Sequence, residues 1–161
     1  MSSRFYTIWL KQEAYIAVLE ETIRKLPCET GGVLLGYWGS SLDVVITAVV
    51  GPGSLAIHKQ ASFIPDNDYH SREIKSHYEK TGRTETYLGD WHTHPEAKAN
   101  LSTQDRKTLS TIANYRNARL DKPIMMILGT RPFELTVWVH VREPGIFSNQ
   151  VHLYTGRIVL F

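Results

Sequence analysis

The chain has 161 residues, a length that fits one domain with a substantial hydrophobic core. Hydrophobic residues make up 42% and charged residues 21%, a globular composition that excludes a disordered chain. The formal net charge is +2, from 18 basic and 16 acidic residues, and this near balance excludes a protein that coats nucleic acid. We therefore expect a single domain over residues 1–161 and no nucleic-acid partner.

The sequence gives no sign of export or membrane insertion. Cys28 is the lone cysteine, so no internal disulfide can form. The N-terminus lacks the charged start and long apolar core of a signal peptide, and the apolar stretches are too short to span a bilayer. We expect a cytoplasmic protein with no membrane partner.

The first 50 residues are predicted to form one helix followed by two strands. KQEAYIAVLEETIRKL carries Ile16, Leu19, Ile23 and Leu26 at helical spacing, which predicts that these four form the buried stripe, and Pro27 ends the helix. GGVLLGYW and LDVVITAVV then read as strands separated by a GSS turn.

A short strand is expected near 61–64, followed by a helix over DNDYHSREIKSHYEK. Ile74 and Tyr78 should face inward from that helix. The rest predicts a strand, ETYLGDWHTH, a helix from about 103 to 117, and three strands: PIMMILG, FELTVWVHV and QVHLYTGRIVL. This order favours an α/β (α+β-like) domain whose mixed, largely antiparallel central sheet is sandwiched by helices.

Residues 89–105, GDWHTHPEAKANLSTQD, carry the strongest chemical signal. Side chains two apart on a strand point to the same face, so His92 and His94 project together while Trp91 points into the core. Pro95 ends the strand there. Ser102 and Asp105 follow with the spacing of a helix capping box.

Two interpretations of this run compete, and the residues taken jointly favour the second. A capped helix beside two surface histidines needs no metal. Alternatively, two imidazole nitrogens and the Asp105 carboxylate are the three protein ligands of an open catalytic zinc site. These mixed nitrogen and oxygen donors suit Zn²⁺ better than calcium or magnesium.

A hydrolytic zinc site also needs a carboxylate general base that does not bind the metal. The candidate is Glu29 in CETGGVLLGY, where Gly31 and Gly32 allow close backbone approach. On its own, Glu29 reads as an exposed turn residue.

Taken together, Glu29, His92-Thr-His94-Pro95, Ser102 and Asp105 resemble the JAMM motif of the MPN/JAB-domain metallopeptidases: Glu, His-x-His, seven residues, Ser, two residues, Asp. The resemblance covers the chain from the first helix to about residue 140. It implies the MPN/JAB (cytidine-deaminase-like) fold. It also implies that His92, His94 and Asp105 bind zinc, that Glu29 activates water, and that Ser102 hydrogen-bonds the developing oxyanion.

The resemblance further implies cleavage of a peptide or isopeptide bond after the C-terminal tail of a ubiquitin-like or conjugated protein. GGVLLGYW, SFIPDNDYH and LGDWHTHP are most similar to stand-alone bacterial JAB proteins of anti-phage CBASS operons. Such proteins reverse E1/E2-like conjugation, including that of a CD-NTase. The alternatives are a peptidase that processes a small sulfur-carrier protein or other peptide, a non-catalytic MPN interaction module, and a small metal-dependent nuclease.

The remaining histidines lack ligand spacing. His70 and His77 fall on one side of the second helix, a pattern compatible with a second metal, but a solvated helix face is the simpler interpretation.

Overall fold

The computed structural model describes residues 4–146 and 148–161. The helices are α1 (Gln12–Lys25), α2 (Asn67–Lys80) and α3 (Thr103–Asn114), with one 3₁₀ turn at Arg116–Ala118. The strands are β1 (Tyr6–Leu10), β2 (Gly31–Trp38), β3 (Asp43–Val50), β4 (Ile57–Lys59), β5 (Ser62–Ile64), β6 (Thr86–His94), β7 (Ile124–Thr130), β8 (Phe133–Glu143) and β9 (Gln150–Leu160). No helix among the described residues is long and apolar enough to cross a membrane.

Seven strands form one sheet in the order β1-β3-β2-β6-β7-β8-β9, and pairing of β1 with β9 closes it into a barrel. The short strands β4 and β5 form a separate hairpin. Within the closed sheet, four of the seven strand pairings are antiparallel and three are parallel. The prediction of a mixed, largely antiparallel sheet is therefore confirmed.

The two faces of the sheet bury different clusters. One face meets α1 in the main core, which includes Ile8, Leu34 and Trp91. The opposite face packs under α2 and α3 in two smaller clusters, one around Val33 and Leu35 and one around Leu109. Helices thus cover both sides of the sheet, as predicted.

The predicted buried stripe of α1 is wrong for Ile16, Ile23 and Leu26, whereas Leu19 packs against the main core. Ile16 and Ile23 are 49% and 64% exposed, whereas Ala14 and Val18 face the core. Glu21 and Thr22 are also buried on the inward side. Because Glu21 accepts a hydrogen bond from Thr30, the helix turns a partly polar face inward, which hydrophobic spacing alone does not reveal.

Sequence reasoning missed β1 and β4 and misplaced two smaller features. A five-residue apolar run such as β1 lacks flanking turn residues and is ambiguous by period alone. The third helix ends at Asn114, not at 117. Tyr78 is 38% exposed, so its predicted inward orientation is wrong, while Ile74 packs against the cluster of Val33 as expected.

A β-bulge in β6 shapes the sheet next to the histidines. Leu34 pairs with Gly89 and Leu35 pairs with Tyr87, so Leu88 is an extra residue. Gly89 adopts φ +143°, and a Cβ there would overlap the Ile124 carbonyl oxygen. The bulge shifts the alternation of β6 by one residue between Tyr87 and Asp90.

Candidate metal centre

His92 and His94 stand on one face at the end of β6, as strand alternation predicts. The strand is held on both sides, by β2 at Gly31↔His92 and by β7 at His94↔Gly129. Trp91, on the other face, is buried, and its Nε1 donates to the Val50 carbonyl at 3.0 Å. The paired neighbours fix the direction of both imidazoles.

Asp105 reaches the histidines from the first turn of α3. Its Oδ1 lies 3.1 Å from His92 Nε2, and its Oδ2 lies 3.4 Å from His94 Nε2. The two Nε2 atoms are 3.0 Å apart. One ligand atom from each residue falls within 4.8 Å of the others, and no other such group occurs among the described residues. These three side chains could hold one metal ion.

The capping box predicted at Ser102 and Asp105 is present in full. The Asp105 amide donates to Ser102 Oγ at 3.1 Å, and the Ser102 amide donates to Asp105 Oδ2 at 2.7 Å. The helix cap and the metal-ligand arrangement therefore coexist, because the cap itself aims the carboxylate at the imidazoles.

Hydrogen bonds among the three side chains hold Asp105 in its ionised form, which is the form that binds a metal. Burial alone would raise the pKa of Asp105, but hydrogen bonds from His92 and His94 hold it well below its ordinary value. A hydrogen bond to Asp105 raises the pKa of His94. His94 Nδ1 lies 3.1 Å from the Lys98 carbonyl, which can only accept, so Nδ1 carries a proton and Nε2 is the ring nitrogen that would bind a metal.

Glu29 enters the same cavity from the turn before β2. Its amide donates to the Lys59 carbonyl at 2.7 Å, and its carbonyl accepts from His58 Nδ1 at 2.8 Å, so the β4–β5 hairpin holds it in place. A Cβ on Gly32 would overlap the Val50 carbonyl oxygen, which explains why the residue three positions after Glu29 is a glycine. Burial raises the pKa of Glu29, although His92 and His94 oppose the shift.

A cavity of about 940 Å³ connects these groups. It runs between α2 and α3, over the face of the sheet opposite α1. Its lining includes Glu29, His92, His94, Ser102 and Asp105. The structure thus brings together all five residues that the sequence singled out.

Sequence reasoning missed Asp90 and Tyr87, which also line the cavity. Tyr87 hydroxyl donates to Asp90 Oδ1 at 2.8 Å. The two residues are three apart, so regular alternation would place them on opposite faces, and the only signal for a bulge was Gly89.

The solvated-face interpretation of the second helix is also wrong for one of its histidines. His70 is 6% exposed, and its Nε2 lies 2.8 Å from the Gly51 carbonyl.

Comparison with known proteins places the chain in a family. The sequence family described as prokaryotic homologs of the JAB domain matches residues 11–141. A protein of Sinorhizobium fredii named "Probable metalloprotease y4qB" is 41% identical over 122 residues, 75% of this chain and 74% of that protein. A protein of Vibrio cholerae named "CD-NTase/cGAS isopeptidase" is 29% identical over 127 residues, 78% of this chain and 75% of that protein.

The fold has a solved counterpart as well. The solution structure of protein DSY2949 from Desulfitobacterium hafniense superposes with a TM-score of 0.64 at 20% identity, covering 96% of this chain and 92% of that one. At that identity the likeness concerns the fold alone. With the family match over most of the chain, and with the motif residues gathered in one cavity, we conclude that this chain belongs to the prokaryotic JAB branch of the JAMM/MPN metallopeptidases.

Proposed function

We propose that this chain is a zinc-dependent isopeptidase that hydrolyses the bond after the C-terminus of a ubiquitin-like or conjugated protein. The convergence of His92, His94 and Asp105 on one point, inside a cavity that Glu29 shares, is the observation that supports it most directly. Three relatives carry the name "CD-NTase/cGAS isopeptidase", which supports a conjugated protein as the substrate class.

The donor set fits zinc. Tetrahedral zinc at 2.0–2.2 Å from its ligands separates neighbouring ligand atoms by roughly 3.3–3.6 Å. The two Nε2 atoms are 3.0 Å apart, His92 Nε2 is 3.1 Å from Asp105 Oδ1, and His94 Nε2 is 3.4 Å from Oδ2. One ligand atom from each residue lies within 4.8 Å of the others, so modest side-chain movements would admit the ion. When bound, zinc would supply Lewis-acid chemistry that polarises water and the substrate carbonyl.

Glu29 moves the proton in the proposed reaction, and Ser102 stabilises the charge that develops on the substrate oxygen. Glu29 takes the proton of the attacking water and hands it to the leaving amine, a role that its raised pKa suits. Ser102 Oγ already accepts from the Asp105 amide, so its hydroxyl hydrogen is the part free to donate to the developing oxyanion.

The pathway follows from the same proposal. We assign the chain to the reversal of E1/E2-like conjugation in bacterial anti-phage signalling, with a conjugated CD-NTase as the partner to test first. The substrate tail would lie extended beside β2 and the β4–β5 hairpin, since that hairpin is bonded to Glu29.

The test combines metal analysis with cleavage of defined substrates. The purified chain should hold about one zinc and cleave an isopeptide-linked CD-NTase conjugate, with a linear sulfur-carrier fusion as the competing substrate. Glu29→Gln should keep zinc and lose turnover by on the order of 10²–10⁴-fold, because only the base is removed. Asp105→Asn should lose metal affinity.

Glu134→Gln is the matched control, since Glu134 is exposed and lies outside the cavity. It should keep both zinc and turnover. Undiminished cleavage by Glu29→Gln would remove the proposed base. Zinc binding without cleavage of either substrate would leave a non-catalytic interaction module as the better description.

A further inference from the structure

Acidic side chains, but no lysine or arginine of the described chain, line the cavity around the metal centre. Among the described residues that line it, Glu29, Asp90 and Asp105 carry carboxyl groups, and no lysine or arginine is present, although the chain has 18 of these basic residues. Asp105 faces the histidines and Glu29 is the proposed base. Asp90 is the lining carboxylate that the proposed reaction does not use.

Asp90 has an acceptor oxygen to spare. Its Oδ1 accepts from the Tyr87 hydroxyl at 2.8 Å, while its Oδ2 makes no hydrogen bond with any described residue. His70 lines the same cavity, but its Nε2 faces the Gly51 carbonyl at 2.8 Å; a carbonyl only accepts, so the proton of that nitrogen is already used. A ligand donor in the cavity is the natural partner for Oδ2.

The bulge in β6 creates this arrangement. In a strand without this bulge, Tyr87 and Asp90 would lie on opposite faces, because they are three residues apart. With it, Tyr87 holds the carboxylate from one side while Asp90 stays on the face that carries His92. The bulge thus fixes a carboxylate inside the cavity beside the metal centre.

Spacing along the strand locates the carboxylate relative to the reaction. Asp90 and His92 are two residues apart on one face, so their backbones lie about 7 Å from each other. An extended substrate advances about 3.3 Å per residue. A substrate strand that ran alongside β6 would therefore meet Asp90 about two positions from the bond that is cleaved.

We propose that Asp90, positioned by Tyr87, is a subsite for a cationic nitrogen of the substrate. This inference rests on the proposed peptidase function, because the ligand is part of a peptide. The nitrogen has two sources: the ammonium or guanidinium of a lysine or arginine side chain, or the free α-amino group at a chain end. Either donates to Oδ2 in a cavity without a competing lysine or arginine among its described lining residues.

The experiment measures binding, not turnover. The ¹⁵N-labelled full chain, loaded with Zn²⁺, is titrated with N-acetyl-lysine amide, N-acetyl-arginine amide, glycine amide and the uncharged analogue N-acetyl-norleucine amide. We expect one cationic class to bind at least tenfold more tightly than the norleucine analogue, with shifts at Tyr87 and Asp90 amides. Tighter binding of the acetylated lysine or arginine identifies a side chain; tighter binding of glycine amide identifies a chain end.

Matched variants separate the subsite from its surroundings. Asp90→Asn, nearly the same shape, should abolish the tenfold preference, and Tyr87→Phe should reduce it. Asp121→Asn, at an exposed site outside the cavity, should leave it intact. Zinc content should stay the same in all three. The dependence on Asp90 also separates the subsite from direct coordination of a probe to zinc.

Two results would overturn the subsite. One is equal binding of charged and uncharged probes, or a preference that survives Asp90→Asn. The other is loss of zinc in Asp90→Asn, which would make Asp90 a support of the metal ligands instead. Failure of the proposed function would look different, since the unchanged chain would then bind the cationic probes and hydrolyse no peptide bond.

Discussion

Thr93, between the two histidines, ties the proposed metal ligands to the segment of the proposed base. Its Oγ1 accepts from the Thr30 amide at 3.0 Å, and its own amide donates to the Thr30 carbonyl at 2.9 Å. Thr30 in turn donates its hydroxyl to Glu21 Oε1 at 3.0 Å. All three residues are buried, so the contacts have no water to replace them. Glu29 precedes Thr30 directly, and its backbone position depends on this network.

We expect Thr93→Val to lower the free energy of unfolding by about 1–3 kcal/mol, because a buried Thr30 amide loses its side-chain partner at nearly constant volume. Thr93→Ser keeps the hydroxyl and loses one methyl, so it should cost about 0.8 kcal/mol. Urea denaturation of both variants checks the difference. A loss in Thr93→Ser with none in Thr93→Val would mean that packing of the methyl, and not the hydrogen bond, is what Thr93 contributes.

At the scale of an element, the first turn of α3 has two roles. Ser102 is the N-cap, and Asp105 completes the box while facing His92 and His94. A helix start aligns its free amides toward this point, which stabilises an ionised carboxylate there. One turn of helix thereby sets the direction of the Asp105 carboxylate and presents the Ser102 hydroxyl to the cavity.

The two roles of Ser102 predict losses of different size. Ser102→Ala should lower the free energy of unfolding by about 1 kcal/mol through loss of the cap. Turnover should fall by on the order of 10²–10³-fold, if its hydroxyl also donates to the oxyanion. Ser102→Thr keeps both groups and serves as the control. Urea unfolding and steady-state kinetics on the three proteins give the comparison, and full turnover by Ser102→Ala would restrict Ser102 to capping.

The elements show which features the sequence could predict. His92, His94, Ser102 and Asp105 lie within 14 residues, and strand alternation and capping rules govern how they face. The inward face of α1 could not be predicted, because Glu21 is buried against a residue outside its helix. The placement of Tyr87 and Asp90 on one face could not be predicted for a related reason. A bulge changes the alternation of side chains along a strand, and bulges depend on how β2 and β6 pair.

At the scale of the whole molecule, pairing between strands that are far apart in the chain makes distant segments neighbours. Glu29 reaches the histidines because β2 pairs with β6, with Gly31 opposite His92. His140 in β8 is buried, with 1% of its surface exposed, and neither ring nitrogen has a partner among the described residues. Burial, with help from the nearby Arg142 charge, lowers the pKa of His140 below its ordinary value of 6.5.

This histidine should make global stability depend on pH. Above pH 6.5 it is neutral in both states and adds no pH dependence; as pH falls below 6.5 the unfolded chain takes up a proton that the folded chain resists. The free energy of unfolding should then fall by up to about 1.4 kcal/mol per pH unit from this group. His140→Leu removes the titration, so the stability of the natural chain relative to this variant should decline between pH 7.5 and pH 5, measured by urea unfolding. Other titrating groups cancel in that difference, and a constant difference across this range would mean that His140 is protonated as easily in the folded protein as in the unfolded chain.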